Sequence, residues 1–136
     1  MSVKEYKYQK ATHEQLDKCK RWCQNQLEMR DWEIHLDVGN IRPDYAPVPD
    51  DPKDVVYGSC SIRVARHKGE VWIAIDSIKD ENENPYSTLI HEMLHFFLRH
   101  ELGEDEDNHE DPIYIMEPAL YRLFCYENKI KIASLK

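Results

Sequence analysis

The segment His91-Glu92-Met93-Leu94-His95 brings two imidazoles and a carboxylate together at the spacing that a hydrolytic zinc centre requires. On an α-helix, residues four apart differ by about 40° around the axis and lie about one turn apart. His91 and His95 can therefore each direct a nitrogen to the same ion. Glu92 is turned about 100° from His91, so it borders the metal without ligating it. The spacing predicts one Zn²⁺ ion held by His91 and His95, with Glu92 as the catalytic general base for a zinc-bound water.

The flanking residues predict that this segment is helical. Asn84 and Pro85 suit the N-cap and the first helical position. Apolar residues then recur at helical spacing, which buries the helix against a core: Leu89, Ile90, Met93, Leu94, Phe97 and Leu98. An unpartnered polar group on such a helix is costly, so the context favours a metal site over two histidines that are merely packed.

Length and composition are those of one compact domain spanning residues 1–136, with 41% apolar and 10% aromatic residues. The net charge of −8 argues against general affinity for nucleic acid or for an anionic membrane. No apolar run approaches the roughly 20 residues that span a bilayer, and the N-terminus lacks the apolar core of a secretory signal. The four cysteines form no CxxC pair, which indicates reduced thiols. These features together predict a cytoplasmic protein.

The element order predicts an α+β fold. Residues 12–30 have a helical pattern with Thr12 as a possible N-cap, and residues 32–38 alternate as a half-buried strand that Gly39 stops. A proline-rich loop over 42–53 separates this strand from a predicted antiparallel hairpin of strands 57–65 and 71–76. We expect a polar connector over 79–83, the helix of His91 and His95, an acidic loop over 103–111 and a last helix over about 117–129.

At His91, Glu92 and His95 the chain resembles the HExxH metallopeptidases, the zincins. The element order is also similar to that of the small zincins, with an opening helix, a short three-stranded sheet, the HExxH helix and a second helix that completes the site. The run Glu117-x-Ala-x-x-x-Leu-Phe is similar to the corresponding helix of phage and prophage zincins. The resemblance implies an edge strand that a peptide substrate joins as an added strand. Residues 71–75 or 59–63 would take that role, and ordinary core strands are an equally compatible interpretation.

A catalytic zinc site needs a third protein ligand, and three downstream residues are candidates. His100 lies about half a turn away from His91 and also misses the metzincin pattern, so we expect it outside the site. His109 lies in a charged segment but could fold over the metal, as third histidines do in some SprT-like proteins. Glu117 is the preferred candidate, because a carboxylate entering a second helix is the gluzincin arrangement that the chain resembles, with Pro118 suited to the first helical position. An acidic helix start that complements the macrodipole is the simpler alternative for Glu117.

The resulting prediction is zinc-dependent hydrolysis of a peptide bond in a peptide or protein substrate. Tyr114, Tyr121 or His109 could supply a hydrogen bond to the developing oxyanion. Two alternatives stay open at this point: a non-catalytic zinc-binding interaction domain of zincin fold, and a small adaptor whose histidines bind nothing. The sequence does not indicate the natural substrate or the oligomeric state.

Overall fold

The computed structural model describes residues 4–103 and 110–136. In these residues the fold is α+β, with four α-helices and a small three-stranded mixed sheet. The elements are α1 (His13–Gln26), β1 (Glu33–Val38), β2 (Gly58–Arg63), β3 (Lys68–Ile73), α2 (Ile75–Asp80), α3 (Pro85–Leu102) and α4 (Glu110–Asn128). No helix among the described residues is long and apolar enough to cross a bilayer.

Helix α1 and strand β1 confirm the sequence predictions. Thr12 caps α1 in a full capping box, in which its side chain accepts from the backbone N–H of Gln15 while the Gln15 side chain accepts from the N–H of Thr12. The apolar stripe of α1 contains Leu16 and Cys19, which are completely buried. Strand β1 ends at Val38, immediately before Gly39.

The predicted hairpin is also confirmed, because β2 pairs antiparallel with β3. Strand β1 pairs parallel with the other side of β3, so the order is β1-β3-β2. Strand β3 is therefore central, and of the two candidate edge strands for a substrate, only β2 is at an edge of the sheet in the described part of the chain.

The two faces of the sheet have different neighbours. On β3, Val71 and Ile73 face the main core, whereas Trp72 lies on the opposite face in a small cluster with Ala46 and Ala74. The proline-rich loop that carries Ala46 therefore covers the outer face. Gly69 brings the sheet close to α3, because a Cβ atom at this position would overlap the Phe96 ring.

Several boundaries differ from the sequence predictions. Helix α1 ends at Gln26, four residues before the predicted end at residue 30. Strand β3 begins at Lys68, three residues before its predicted start. The strand predicted over 71–76 ends at Ile73, and part of the expected polar connector belongs to α2, where the fully buried side chain of Ile78 anchors a helical turn.

The last helix begins at Glu110, not near Glu117, so Pro118 is inside α4. Proline suits a helix start, which is why the sequence predicts one at Pro118; in the structure Pro118 is a buried residue within α4.

Candidate metal centre

Helix α3 carries the histidine pair on a face that is only partly covered. Asn84 begins the helix, since its side chain accepts from the backbone N–H of Ser87. About two turns later, His91 and His95 have side chains that are 25% and 15% exposed. Their ring centroids are 4.9 Å apart. The HExxH spacing therefore places the two imidazoles beside each other, as predicted.

Helix α4 supplies a carboxylate to each imidazole. The Oε1 atom of Glu117 lies 2.8 Å from Nδ1 of His91, and the Oε1 atom of Glu110 lies 3.7 Å from Nε2 of His95. Residue numbers rise along α3 while those of the contacting residues fall along α4, so the two helices run antiparallel. Glu110 and Glu117 are two turns apart on α4, which places both carboxylates on the face that packs against α3.

The three residues His91, His95 and Glu110 form the metal-ligand group of the described residues, with one potential ligand atom each, all within 4.8 Å of one another. Two atoms that are each about 2.1 Å from a tetrahedral zinc ion are about 3.4 Å apart. The 3.7 Å between His95 and Glu110 is close to that separation. Two imidazoles and one carboxylate form a donor set that suits zinc, so the residues present fit the predicted ion.

Glu117 occupies a different position in the same site. Its 2.8 Å contact with Nδ1 of His91 is a hydrogen-bond distance and leaves Nε2 of His91 for a metal. Burial opposes the charged form of His91, but the carboxylates of Glu117, Glu92 and Glu110 together more than offset this effect, and the pKa of His91 is raised from its ordinary value. Glu117 as a direct ligand stays a prediction, since it would have to leave Nδ1 to reach the ion.

The catalytic candidate Glu92 is 9% exposed and lies next to the ligand group. Burial is the largest influence on its carboxyl group and raises the pKa of Glu92, while the nearby His91 lowers it. The Cys60 side chain on β2 lines a cavity with this carboxylate and also lowers the pKa of Glu92. No local pattern marks Cys60 as a site residue, because its proximity to Glu92 depends on the pairing of β2 with β3.

Two cavities meet at Glu92 and give the site access to solvent. One of about 440 Å³ is bordered by His91, Glu117 and Tyr114, and the other of about 270 Å³ is bordered by His95, Cys60 and Tyr45. Gly58 and Glu92 line both cavities. The edge strand β2 therefore forms one wall of a groove that passes the histidine pair.

The two other histidine candidates for the third ligand have different outcomes. His109 lies outside the described residues. His100 lies against Trp32 and His67, with ring centroids 5.5 and 5.4 Å away, so it is outside the site as expected.

Of the tyrosines, Tyr114 borders the cavity, with its ring 6.4 Å from that of His91. Tyr121 is completely buried and its hydroxyl contacts Asn84 and the backbone N–H of Ala133, so it is not placed to donate to a substrate. Like Cys60, Glu110 is a site residue that the sequence predictions did not include. Glu110 lies seven residues, or two helical turns, before Glu117. This spacing points to a shared helix face only if α4 is known to include Glu110.

Comparisons with models of protein families, with curated proteins and with solved structures find no match to this chain.

Proposed function

We propose that this protein is a zinc-dependent peptidase in which His91, His95 and a carboxylate of α4 hold one Zn²⁺ ion. The observation that carries the proposal is the convergence of the ligand atoms of His91, His95 and Glu110 within 4.8 Å, beside the buried carboxylate of Glu92. A structural site would need no unligated carboxylate at that position, whereas hydrolysis requires a base beside the metal. The family resemblance of the HExxH segment supports the same conclusion.

The zinc ion and the side chains would have different roles in the reaction. Zinc at this site would supply a Lewis acid for the scissile carbonyl and would lower the pKa of a coordinated water to about 7. Glu92 would take a proton from the attacking water and return it to the leaving amine. Its burial suits this role, because a raised pKa brings the carboxyl group closer to the pH at which it must both accept and donate a proton. Glu117 would hold the ring of His91 through Nδ1.

The groove along β2 supports an extended peptide as the substrate. Among residues 4–103 and 110–136, strand β2 is paired on one side only, so its outer backbone groups are available to an added strand. A peptide in that position would cross Gly58 and reach Glu92 and the histidines from the side opposite α4. In this arrangement the edge strand would orient the scissile peptide bond relative to the metal and Glu92.

Two measurements test the proposal. Protein purified without a histidine tag should contain about one zinc per chain by metal analysis. Glu92→Gln has nearly the same shape, so it should keep the zinc but lower the rate of peptide-library cleavage by about 10²- to 10⁴-fold. His100→Ala is the matched control and should change neither quantity. Less than half an equivalent of zinc would refute the metal centre, and a zinc-loaded wild type that cleaves no peptide would favour the non-catalytic interaction domain.

A further inference from the structure

Helix α4 exposes an apolar stripe on the side opposite the metal centre. Ile115, Leu123 and Tyr126 are 65%, 40% and 82% exposed, and the exposed Ala119 lies between them. At 100° per residue, these four positions fall within an arc of about 80° and extend over about 17 Å of helix. The inner face of the same helix carries fully buried residues: Ile113, Tyr121 and Phe124. Helix α4 is thus apolar on both faces, and the described part of the chain covers one of them.

The charges at the two ends of the stripe are opposite. Glu110 and Asp111 begin α4, whereas Lys129 follows directly after its end and Lys131 lies two residues further on. The last turn also contains Glu127, whose carboxylate accepts a 2.7 Å hydrogen bond from Nε1 of Trp22 in its own copy. At 100° per residue, Asp111 lies about 40° from Ile115, at the edge of the stripe, whereas Lys129 lies at the opposite end of α4, just past the last helical residue, with a left-handed φ of 56°. A second copy of this helix placed antiparallel would bring each acidic end next to a basic end, whereas a parallel copy would place like charges together.

We propose that this stripe is a self-association surface, on which α4 of one copy packs antiparallel against α4 of a second copy. The two-fold arrangement pairs Ile115 with Tyr126 of the other copy and places Ala119 near the axis, where a small residue permits close approach of two helices. Asp111 then lies beside Lys129 of the other copy, twice in each dimer.

Within α4, Arg122 is the charged residue nearest to the stripe, about 20° from Ile115 and outside the arc. Its Nη1 donates to the hydroxyl of Tyr6, at 3.0 Å, which draws the guanidinium toward the N-terminal segment of its own copy. The apolar stripe therefore continues past it.

The size of the stripe is that of a small interface. Two helices in contact over about three turns bury roughly 1,000 Å² in total, which is at the lower limit for a specific interface. We therefore expect a dissociation constant on the order of 10 μM. The proposal does not depend on the metal centre, since the stripe and the ligands lie on opposite faces of α4.

Sedimentation equilibrium of the full chain tests the proposal over protein concentrations from about 1 to about 300 μM. The wild type should rise from the 16.2 kDa monomer toward twice that mass, with and without zinc. Tyr126→Glu should raise the dissociation constant by at least about 10-fold, because it places a carboxylate in the apolar contact. Ile41→Glu is the matched control: Ile41 is 91% exposed but lies in the loop after β1, and the change should leave association unaffected.

A charge exchange tests the antiparallel arrangement. Asp111→Lys and Lys129→Asp should each weaken association, and the double variant should restore it to near the wild-type value. Thermal unfolding of each variant confirms that it is folded. A wild type that stays monomeric at the highest concentration, a dimer that tolerates Tyr126→Glu, or a double variant that fails to restore association would each overturn the proposal.

Discussion

The Nδ1 atom of His91 and the Oε1 atom of Glu117 lie 2.8 Å apart across two antiparallel helices. This contact assigns one ring nitrogen of His91 to a carboxylate and leaves Nε2 for a metal ion. Histidines that bind zinc are commonly oriented in this way, with the second nitrogen held by an acidic side chain. The relationship gives Glu110 and Glu117 different roles, which substitutions can separate.

We expect Glu110 to behave as a ligand and Glu117 as a positioning residue. Glu110→Gln should weaken zinc binding as strongly as Glu110→Ala, because a neutral amide is a poor zinc ligand. Glu117→Ala should cost about 10- to 100-fold in affinity, while Glu117→Gln should recover most of it, since the amide oxygen can still accept from Nδ1. Competition with a chromophoric chelator measures each affinity.

His109→Ala is the control for the zinc titrations and should bind nearly as tightly as the wild type. If Glu117→Gln loses as much affinity as Glu117→Ala, then Glu117 is the ligand, as the sequence predicts. If His109→Ala loses the zinc, the site belongs with the SprT-like arrangement instead.

Close approach of α3 to the sheet at Gly69 should make this position intolerant of any side chain. A Cβ atom there would overlap the Phe96 ring and would lie 2.6 Å from the backbone oxygen of Ser61. We expect Gly69→Ala to lower the free energy of unfolding by about 3 kcal/mol, as measured in urea. Gly39→Ala is the matched control, because a Cβ atom at Gly39 would have no neighbour within 4 Å. Equal effects of the two substitutions would contradict this packing.

Asn84 should matter more than an ordinary N-cap, because its side chain also joins α3 to the N-terminal segment of the chain. It accepts from the N–H of Ser87 while its amide group donates to the carbonyl of Lys7 and to the side chain of Gln9. We expect Asn84→Ala to cost about 2 kcal/mol, since it removes the N-cap and two further part-buried hydrogen bonds. Asn128→Ala, which removes one contact at the end of α4, should cost about 0.5 kcal/mol. Urea titrations that rank these two variants in the opposite order would exclude this role.

Stability should fall at alkaline pH because buried tyrosines resist ionisation. Burial raises the pKa of Tyr86 to about 12, whereas the pKa of an unfolded tyrosine is near 10. The folded state therefore retains a proton that the unfolded state loses. Its contribution to stability is complete below about pH 10 and is lost as the pH rises to about 12.

The free energy of unfolding, measured between about pH 8 and about pH 11, should decrease above about pH 10. Tyr86→Phe should reduce that decrease, while Tyr126→Phe, which changes an 82% exposed ring, should leave it unchanged. A pH dependence that is the same in the wild type and in Tyr86→Phe would show that Tyr86 does not contribute.

Local signals in the sequence predicted much of the fold. The capping box at Thr12, the alternation before Gly39 and the Asn84-Pro85 start of α3 act over a few residues, so a single segment contains all the information needed. The spacing of His91 and His95 is of the same kind, because an α-helix alone places two residues four apart on one face. The sequence by itself thus determined the histidine pair, the adjacent Glu92 and the hairpin.

Tertiary structure decided what no local pattern contains. Pro118 is typical of a helix start, and only the packing of α4 against α3 shows that the helix begins eight residues earlier and brings Glu110 to His95. Cys60 reaches Glu92 because β2 pairs with β3 in a particular register, which depends on residues far apart in the chain. The physical reason is the same in both cases: helical and strand periodicity fix the direction of a side chain within its element, whereas its partner depends on how the elements pack.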